Sequence, residues 1–263
     1  MTTRIAVICA MDSEAAHLRQ QLVGAAEQPL ARWRRTRGTL AGVSVDLIVS
    51  GIGMVSASAT TSALCLLDPP DLLLNYGCAG AHRLDLGPGD VIIGDRVVHF
   101  SAQIVRPDGT RDYMGFDYVA DGARVQTGSI PTAPELVALA QRCAAQVRLP
   151  AWPGYETMPS VHTGTVASAD IWTQHSETIL SLHDLHGSLC EEMEAAAIAQ
   201  VAAIYGIPFL PVKDVSNNEL LKATGGATER GWPSLGEQEL EVGRRAAMLV
   251  EAILVEVGSG APV

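Results

Sequence analysis

Aromatic side chains are scarce in this sequence: Phe, Trp and Tyr make up 5% of its 263 residues. The core must therefore be built mainly from Ala, Val, Leu and Ile. Positive charge is also short, with 18 Lys and Arg against 29 Asp and Glu, a formal charge of −11. A net-acidic chain is a poor candidate for holding nucleic acid by its phosphates. No apolar run reaches the ~18 residues that a membrane span needs. There is no CxxC pair. The five cysteines (Cys9, Cys65, Cys78, Cys143 and Cys190) are odd in number and fall mostly within apolar segments. They read as reduced, buried thiols, not as a disulfide framework or a zinc site. The seven histidines show no HxH or HxxxH spacing, so no metal is expected. His82, His99 and His162 read as surface or loop residues, and His183-Asp184-Leu185-His186 as a polar loop. GxGxxG and GxxxxGK[ST] are both missing, so no nucleotide cofactor is expected. Met1 to Met11 carries one Arg and a short apolar run without a signal-peptide pattern. It reads as a first strand, and with the reduced thiols it predicts a cytoplasmic protein.

What is present is aliphatic and alternating. The chain is 48% hydrophobic with a mean hydropathy of +0.19, enough for a sizeable core. Ile5 to Ala10 is a continuous apolar run, as in a strand buried on both faces. Asp12 to Val23 reads as a helix with Asp12 at its N-cap. Arg34 to Leu40 and Val43 to Ser50 fit a hairpin across Ala41-Gly42. Gly51-Ile52-Gly53 opens a small-residue helix reaching about Leu67. Leu72 to Asn75 reads as a strand ending at Gly77, and Val91 to Phe100 as another. Residues 101–131 lack a period and read as a long loop with one strand near Arg124 to Gly128; such loops are functional or mobile. Ala133 to Val147 is helical, Val161 to Ser168 extended, and Ile171 to Leu182 includes a helix. Met193 to Tyr205 reads as an Ala-rich helix, Pro208 to Val215 as the last strand, and Leu235 to Val257 as an amphipathic helix. The alternation predicts one α/β domain over residues 1–263, with a central mixed, twisted β-sheet flanked by helices in three layers. Ligands of such sheets sit at the carboxyl ends of strands.

Those ends carry the chemistry. Glu14 lies in the first turn after the first strand, where a carboxylate suits a helix N-terminus or serves as a base toward water. Ser50-Gly51-Ile52-Gly53 and Asn75-Tyr76-Gly77-Cys78-Ala79-Gly80 allow close backbone approach to a ligand. Cys190-Glu191-Glu192-Met193-Glu194 places three carboxylates in four residues. Glu192 and Glu194, two apart, would point the same way in extended geometry, suiting a polyhydroxylated ligand. Lys213-Asp214-Val215-Ser216-Asn217 offers small polar groups at the last strand's exit, and alternation turns Asp214 away from Asn217. Trp172, near another strand end, suits either stacking on a planar base or core packing.

In this order the segments resemble the 5′-methylthioadenosine/S-adenosylhomocysteine nucleosidases, within the purine nucleoside phosphorylase/nucleosidase superfamily, over residues 4–257. The resemblance implies hydrolysis of a purine nucleoside's N-glycosidic bond without a cofactor, by a homodimer. It implies that Glu14 activates the water, that Glu194 binds the ribose 2′-hydroxyl, and that Asn217 acts on the purine. It places Glu192 and Met193 on the ribose side, Ile52 and Cys78 near the sugar, Trp172 against the base and Ser216 at the purine turn. A partner segment would close the 5′ end, with Tyr113, Phe116 and Tyr118 as contributors from the 101–131 region. One departure stands out. Adenine-cleaving members carry Asp where this chain has Asn217. An amide hydrogen-bonds a purine but transfers no proton, so a 6-oxopurine nucleosidase such as futalosine hydrolase, or a non-catalytic nucleoside-binding protein, is an alternative. A phosphorylase is the remaining one, although the positions where it would carry phosphate-binding Arg hold Met11 to Glu14 and Tyr76.

Overall fold

The computed structural model describes residues 3–155, 157–223 and 239–260. It opens with strand β1 (Arg4–Cys9), helix α1 (Asp12–Gln21), β2 (Val23–Leu30), β3 (Trp33–Leu40), β4 (Val43–Val49), α2 (Met54–Leu67) and β5 (Leu72–Ala81). Next come β6 (Val91–His99), β7 (Gln103–Val105), β8 (Arg111–Tyr113), β9 (Phe116–Ala120), β10 (Ala123–Thr127), β11 (Ile130–Pro131) and α3 (Pro134–Ala144). Last are β12 (Val161–Ser168), α4 (Ser176–His186), β13 (Ser188–Glu192), α5 (Ala195–Tyr205), β14 (Phe209–Asn217), α6 (Glu219–Ala223) and α7 (Arg244–Gly258).

One mixed sheet organises the chain. β1 lies between β4 and β5 in parallel, while β3 and β2 extend the β4 edge antiparallel. β14 bridges β5 and β6, and β12 and β13 lead from β6 back to β5, so these five strands close on themselves. The continuous apolar run of β1 is explained by its two buried faces. Ile5, Val7 and Cys9 join the core under α1, α3 and α7, whereas Ala6 and Ile8 join the core under α2 and α5. The three-layer α/β arrangement expected from the sequence is present.

Several local expectations are corrected. The first helix stops at Gln21, and Val23 already belongs to β2, an exposed edge strand whose VGAAEQPL sequence carries no apolar alternation. The cap is Met11, not Asp12; Glu14 reaches back to the Met11 N–H at 3.0 Å. β5 runs on through Gly77-Cys78-Ala79-Gly80 to Ala81 because β14 pairs with it along that length. Residues 101–131 are not a long loop. They form the antiparallel pairs β7–β8 and β9–β10, the second turning at Asp121 (φ 50°) and Gly122 (φ 74°). An Asp-Gly pair between short strands is a hairpin signal, hidden here by strands of three to five residues. Phe116 of that region is buried in the chain's own core, and Tyr113 packs edge-on against His186. His82 lies in the loop after β5 but is buried, not at the surface; His99 and His162 are half-buried within β6 and β12, and His183 to His186 lie within α4. The C-terminal helix is seen from Arg244; residues 235–238 of its expected span lie outside the described residues. No helix among the described residues is long and apolar enough to cross a membrane.

Candidate active site

The carboxyl ends of β1, β5, β13 and β14 converge on one cleft of about 720 Å³, counting the part open to solvent. All nine residues singled out from the sequence line it: Glu14, Ile52, Cys78, Trp172, Glu192, Met193, Glu194, Ser216 and Asn217. Glu191 lines it too, and the sequence reading gave it no role. Four carboxylates therefore face one cavity, and among the described lining residues there is no Lys, Arg or His.

Glu14 is buried and held by three backbone donors. Oε2 accepts from the N–H of Ala10 (2.9 Å) and Met11 (3.0 Å), and Oε1 from that of Cys78 (2.9 Å). A carboxylate has about four acceptor sites, so one is left for a water. Two glycines admit the side chain. A Cβ on Gly77 would fall 2.5 Å from Glu14 Oε1, and one on Gly243 would fall 2.8 Å from its Cγ. Burial raises the Glu14 carboxyl above its ordinary value, against the backbone donors and Lys213.

Glu192 and Glu194 are not in extended geometry, since Met193 and Glu194 form the bend between β13 and α5. The two carboxylates consequently take different partners. Glu192 accepts from the N–H groups of Glu194 (3.1 Å) and Ala195 (3.0 Å) at the start of α5, and pairs with Lys213 Nζ at 2.8 Å. Glu194 Oε1 accepts from the Gly53 N–H at 2.7 Å. Its Oε2 has no hydrogen-bond partner among the described residues. Burial, then repulsion from Glu192, pushes the Glu194 carboxyl up to about 7. Lys213 is fully buried. Burial pulls its ammonium down, but Glu192 and Glu194 outweigh this and hold it above its ordinary value. This single ammonium lies behind the wall and serves several acids at once.

At the other end, β14 carries a register irregularity between Val215 and Asn217, so Ser216 and Asn217 both line the cavity despite being adjacent. Asn217 Oδ1 accepts from Ser216 Oγ (3.0 Å), and its Nδ2 donates to Glu219 Oε1 (3.1 Å). Asp214 points the other way, as alternation predicts. It accepts from the N–H groups of Gly243 (3.0 Å) and Arg245 (3.1 Å) at the start of α7. Trp172 is 52% exposed and forms a side wall with Ile171; the tryptophan packed in the core is Trp152. Glu191 and Thr173 were missed as functional neighbours because their partners are distant in sequence. The run of adjacent acids was the only signal for Glu191. No group of three or more metal-ligating side chains occurs among the described residues.

The family model described as "Phosphorylase superfamily" matches residues 4–257. The chain belongs to the phosphorylase superfamily. Within it, the chain is 33% identical over 222 residues to a Bacillus cereus 5′-methylthioadenosine/S-adenosylhomocysteine nucleosidase, covering 81% of this chain and 85% of that protein. The structure of the Streptococcus pneumoniae nucleosidase with the transition-state inhibitor MT-ImmA superimposes with a TM-score of 0.74 at 27% identity, covering 97% of this chain and all of that one. A Helicobacter pylori futalosine hydrolase mutant reaches 0.76 at 21% identity over 97% of this chain, a likeness of fold alone. This superfamily fold thus serves enzymes named for different nucleosides, and substrate choice has to be argued from the cavity.

Proposed function

We propose that this phosphorylase-superfamily member is a purine nucleosidase, hydrolysing the N-glycosidic bond of a methylthioadenosine- or adenosylhomocysteine-type nucleoside to free base and the ribose derivative. The observation that carries the proposal is the excess of carboxylate in the cavity. Cleavage of this bond develops positive charge on the sugar, and fixed carboxylates stabilise such charge as it grows. The same acids repel phosphate as a nucleophile, which favours water.

In this reading Glu14 holds the water on its remaining acceptor site and takes its proton. Glu194 Oε2 accepts the ribose 2′-hydroxyl, while Oε1 stays fixed on Gly53. Glu192 serves the ribose side by tying Lys213 and the start of α5 beneath Glu194. Met193, Ile52 and Cys78 pack near the sugar. Trp172 stacks on the base, with Ser216 and Asn217 reading its edge; the base leaves with the bonding pair as its anion, hydrogen-bonded by the Asn217 amide, and takes its proton from solvent water. The relatives named for methylthioadenosine and adenosylhomocysteine support the substrate class. The amide of Asn217 supports a second reading, a 6-oxopurine nucleoside such as futalosine.

Base release from methylthioadenosine, adenosylhomocysteine, adenosine, inosine and futalosine tests the choice by chromatography. Adenine release supports the first reading, and hypoxanthine-type release the second. Release from none, with tight calorimetric binding, would replace both with a nucleoside-binding protein. A homodimer in the cytoplasm is part of the proposal. The dimer is supported by apolar Ile52, Val55, Ile171 and Trp172, exposed at or near the cavity by 41% or more. Sedimentation at equilibrium gives the mass that decides it.

A further inference from the structure

β13 ends in two acids with different tasks. Glu192 serves Lys213 and α5. Glu191 faces the segment between β12 and α4. It is 6% exposed and accepts from the Thr173 N–H at 2.6 Å and from Thr173 Oγ1 at 2.8 Å. Its Oε2 also lies 3.2 Å from Nε2 of His82, which is 1% exposed. His82 Nδ1 lies 2.8 Å from Ser188 Oγ, and that hydroxyl donates to the Leu182 carbonyl at 3.2 Å. A serine hydroxyl has one hydrogen. With it on Leu182, His82 Nδ1–H is the donor to Ser188. Nε2 faces Glu191 Oε2, so the ring ties Ser188 to Glu191. Every polar group in this chain of contacts is satisfied, and a satisfied buried network has one favoured arrangement.

The segment it grips has little else to fix it. Residues 169–175 form no helix or strand. Asp170 Oδ1 accepts from the Met54 N–H at 2.7 Å, and Thr173 is held by Glu191. Ile171 and Trp172 lie between these two anchors, 41% and 52% exposed, and both line the cavity. A half-exposed indole is not placed by burial; its position follows from the backbone on either side.

We infer that Glu191 and His82 are positioning residues, which hold Thr173 and thereby set the Trp172 wall against which the base lies. The inference rests on the nucleosidase reading for the role of that wall, but the wall's position is measurable without any nucleoside.

Trp172 emission is read as the difference between each protein and its Trp172→Phe counterpart, with acrylamide quenching, and KM and kcat are taken from base release. In Glu191→Ala, quenching of Trp172 rises about twofold, KM rises about tenfold and kcat falls less than about threefold, as expected when binding geometry is lost without loss of the chemical groups. Glu191→Gln still accepts from the Thr173 N–H and offers an amide donor to His82. It returns both readouts to within about twofold of the starting protein. If Glu191→Ala does not fold, Thr173→Val carries the test. It keeps the backbone N–H bond and loses the hydroxyl bond, giving a smaller change of the same sign. Unchanged Trp172 quenching and KM in the folded variant overturn the inference. So does a fall in kcat at constant KM, which would place Glu191 in the chemistry instead. A starting protein that releases no base removes the nucleosidase reading, and the emission result still decides whether the network holds the wall.

Discussion

Two clusters of charge, one half-buried and one buried, are balanced in opposite ways on the two sides of the sheet. On the β3–β4 side, Arg37 grips Asp46 with two bonds of 2.7 and 2.6 Å and Asp68 with a third of 2.6 Å. Arg35 and Arg4 also reach Asp68. Burial pushes the Asp68 carboxyl up, but its bonds to Arg37 and Arg35 outweigh this and hold it below its ordinary value. At the cavity the ratio is reversed. Glu14, Glu192 and Glu194 share Lys213, and Glu194 is left titrating near neutrality. Where cations match acids, the cluster fastens strands together. Where acids exceed cations, the surplus is available to a substrate that becomes positive.

Removing the shared cation breaks the comparison most severely. Lys213→Met leaves Glu192 buried without its ion partner and is expected to lower unfolding stability by about 3–5 kcal/mol, read by urea denaturation. Neutralising the surplus comes next. Glu194→Gln is expected to cost about 3–4 kcal/mol of transition-state stabilisation, roughly 10²–10³-fold in kcat/KM, with the fold retained. Unchanged kcat/KM would remove Glu194 from the chemistry.

The pH dependence sharpens the contrast. Glu194 must be ionised to act, so kcat/KM falls about tenfold for each pH unit below about 7. Its contribution to stability runs the other way. A carboxyl whose folded pKa is raised binds its proton more tightly when folded, so this stability is full below the ordinary carboxylate range and is lost as pH rises to about 7. Asp214, also pushed up to about 7 by burial, adds in the same direction. Glu194→Gln should flatten that fall in a melting series across pH. The smallest effect belongs to the balanced cluster. Arg37→Met is expected to cost about 1–2 kcal/mol of stability and leave kcat/KM unchanged.

The two clusters also differ in how far the sequence announces them. The cavity acids stand at strand ends, so Glu14, Glu192 and Glu194 were legible, as was the layered fold around the apolar β1. Their unequal roles were not, because the bend at Met193-Glu194 sends one acid to Lys213 and the other to Gly53. The hairpins of 101–131 were missed because strands of three to five residues are too short to show a period. His82 was misread because its partners, Ser188 and Glu191, lie more than a hundred residues away. Local pattern carries elements and their ends; it does not carry which buried polar group meets which.

On this reading, surplus carboxylate at the cavity makes water the nucleophile. Base release from methylthioadenosine in ¹⁸O-labelled water, with and without phosphate, tests it most directly. The expected result is one labelled oxygen on the anomeric carbon of the released sugar and a rate indifferent to phosphate. A phosphorylated, unlabelled sugar formed only when phosphate is present would contradict it.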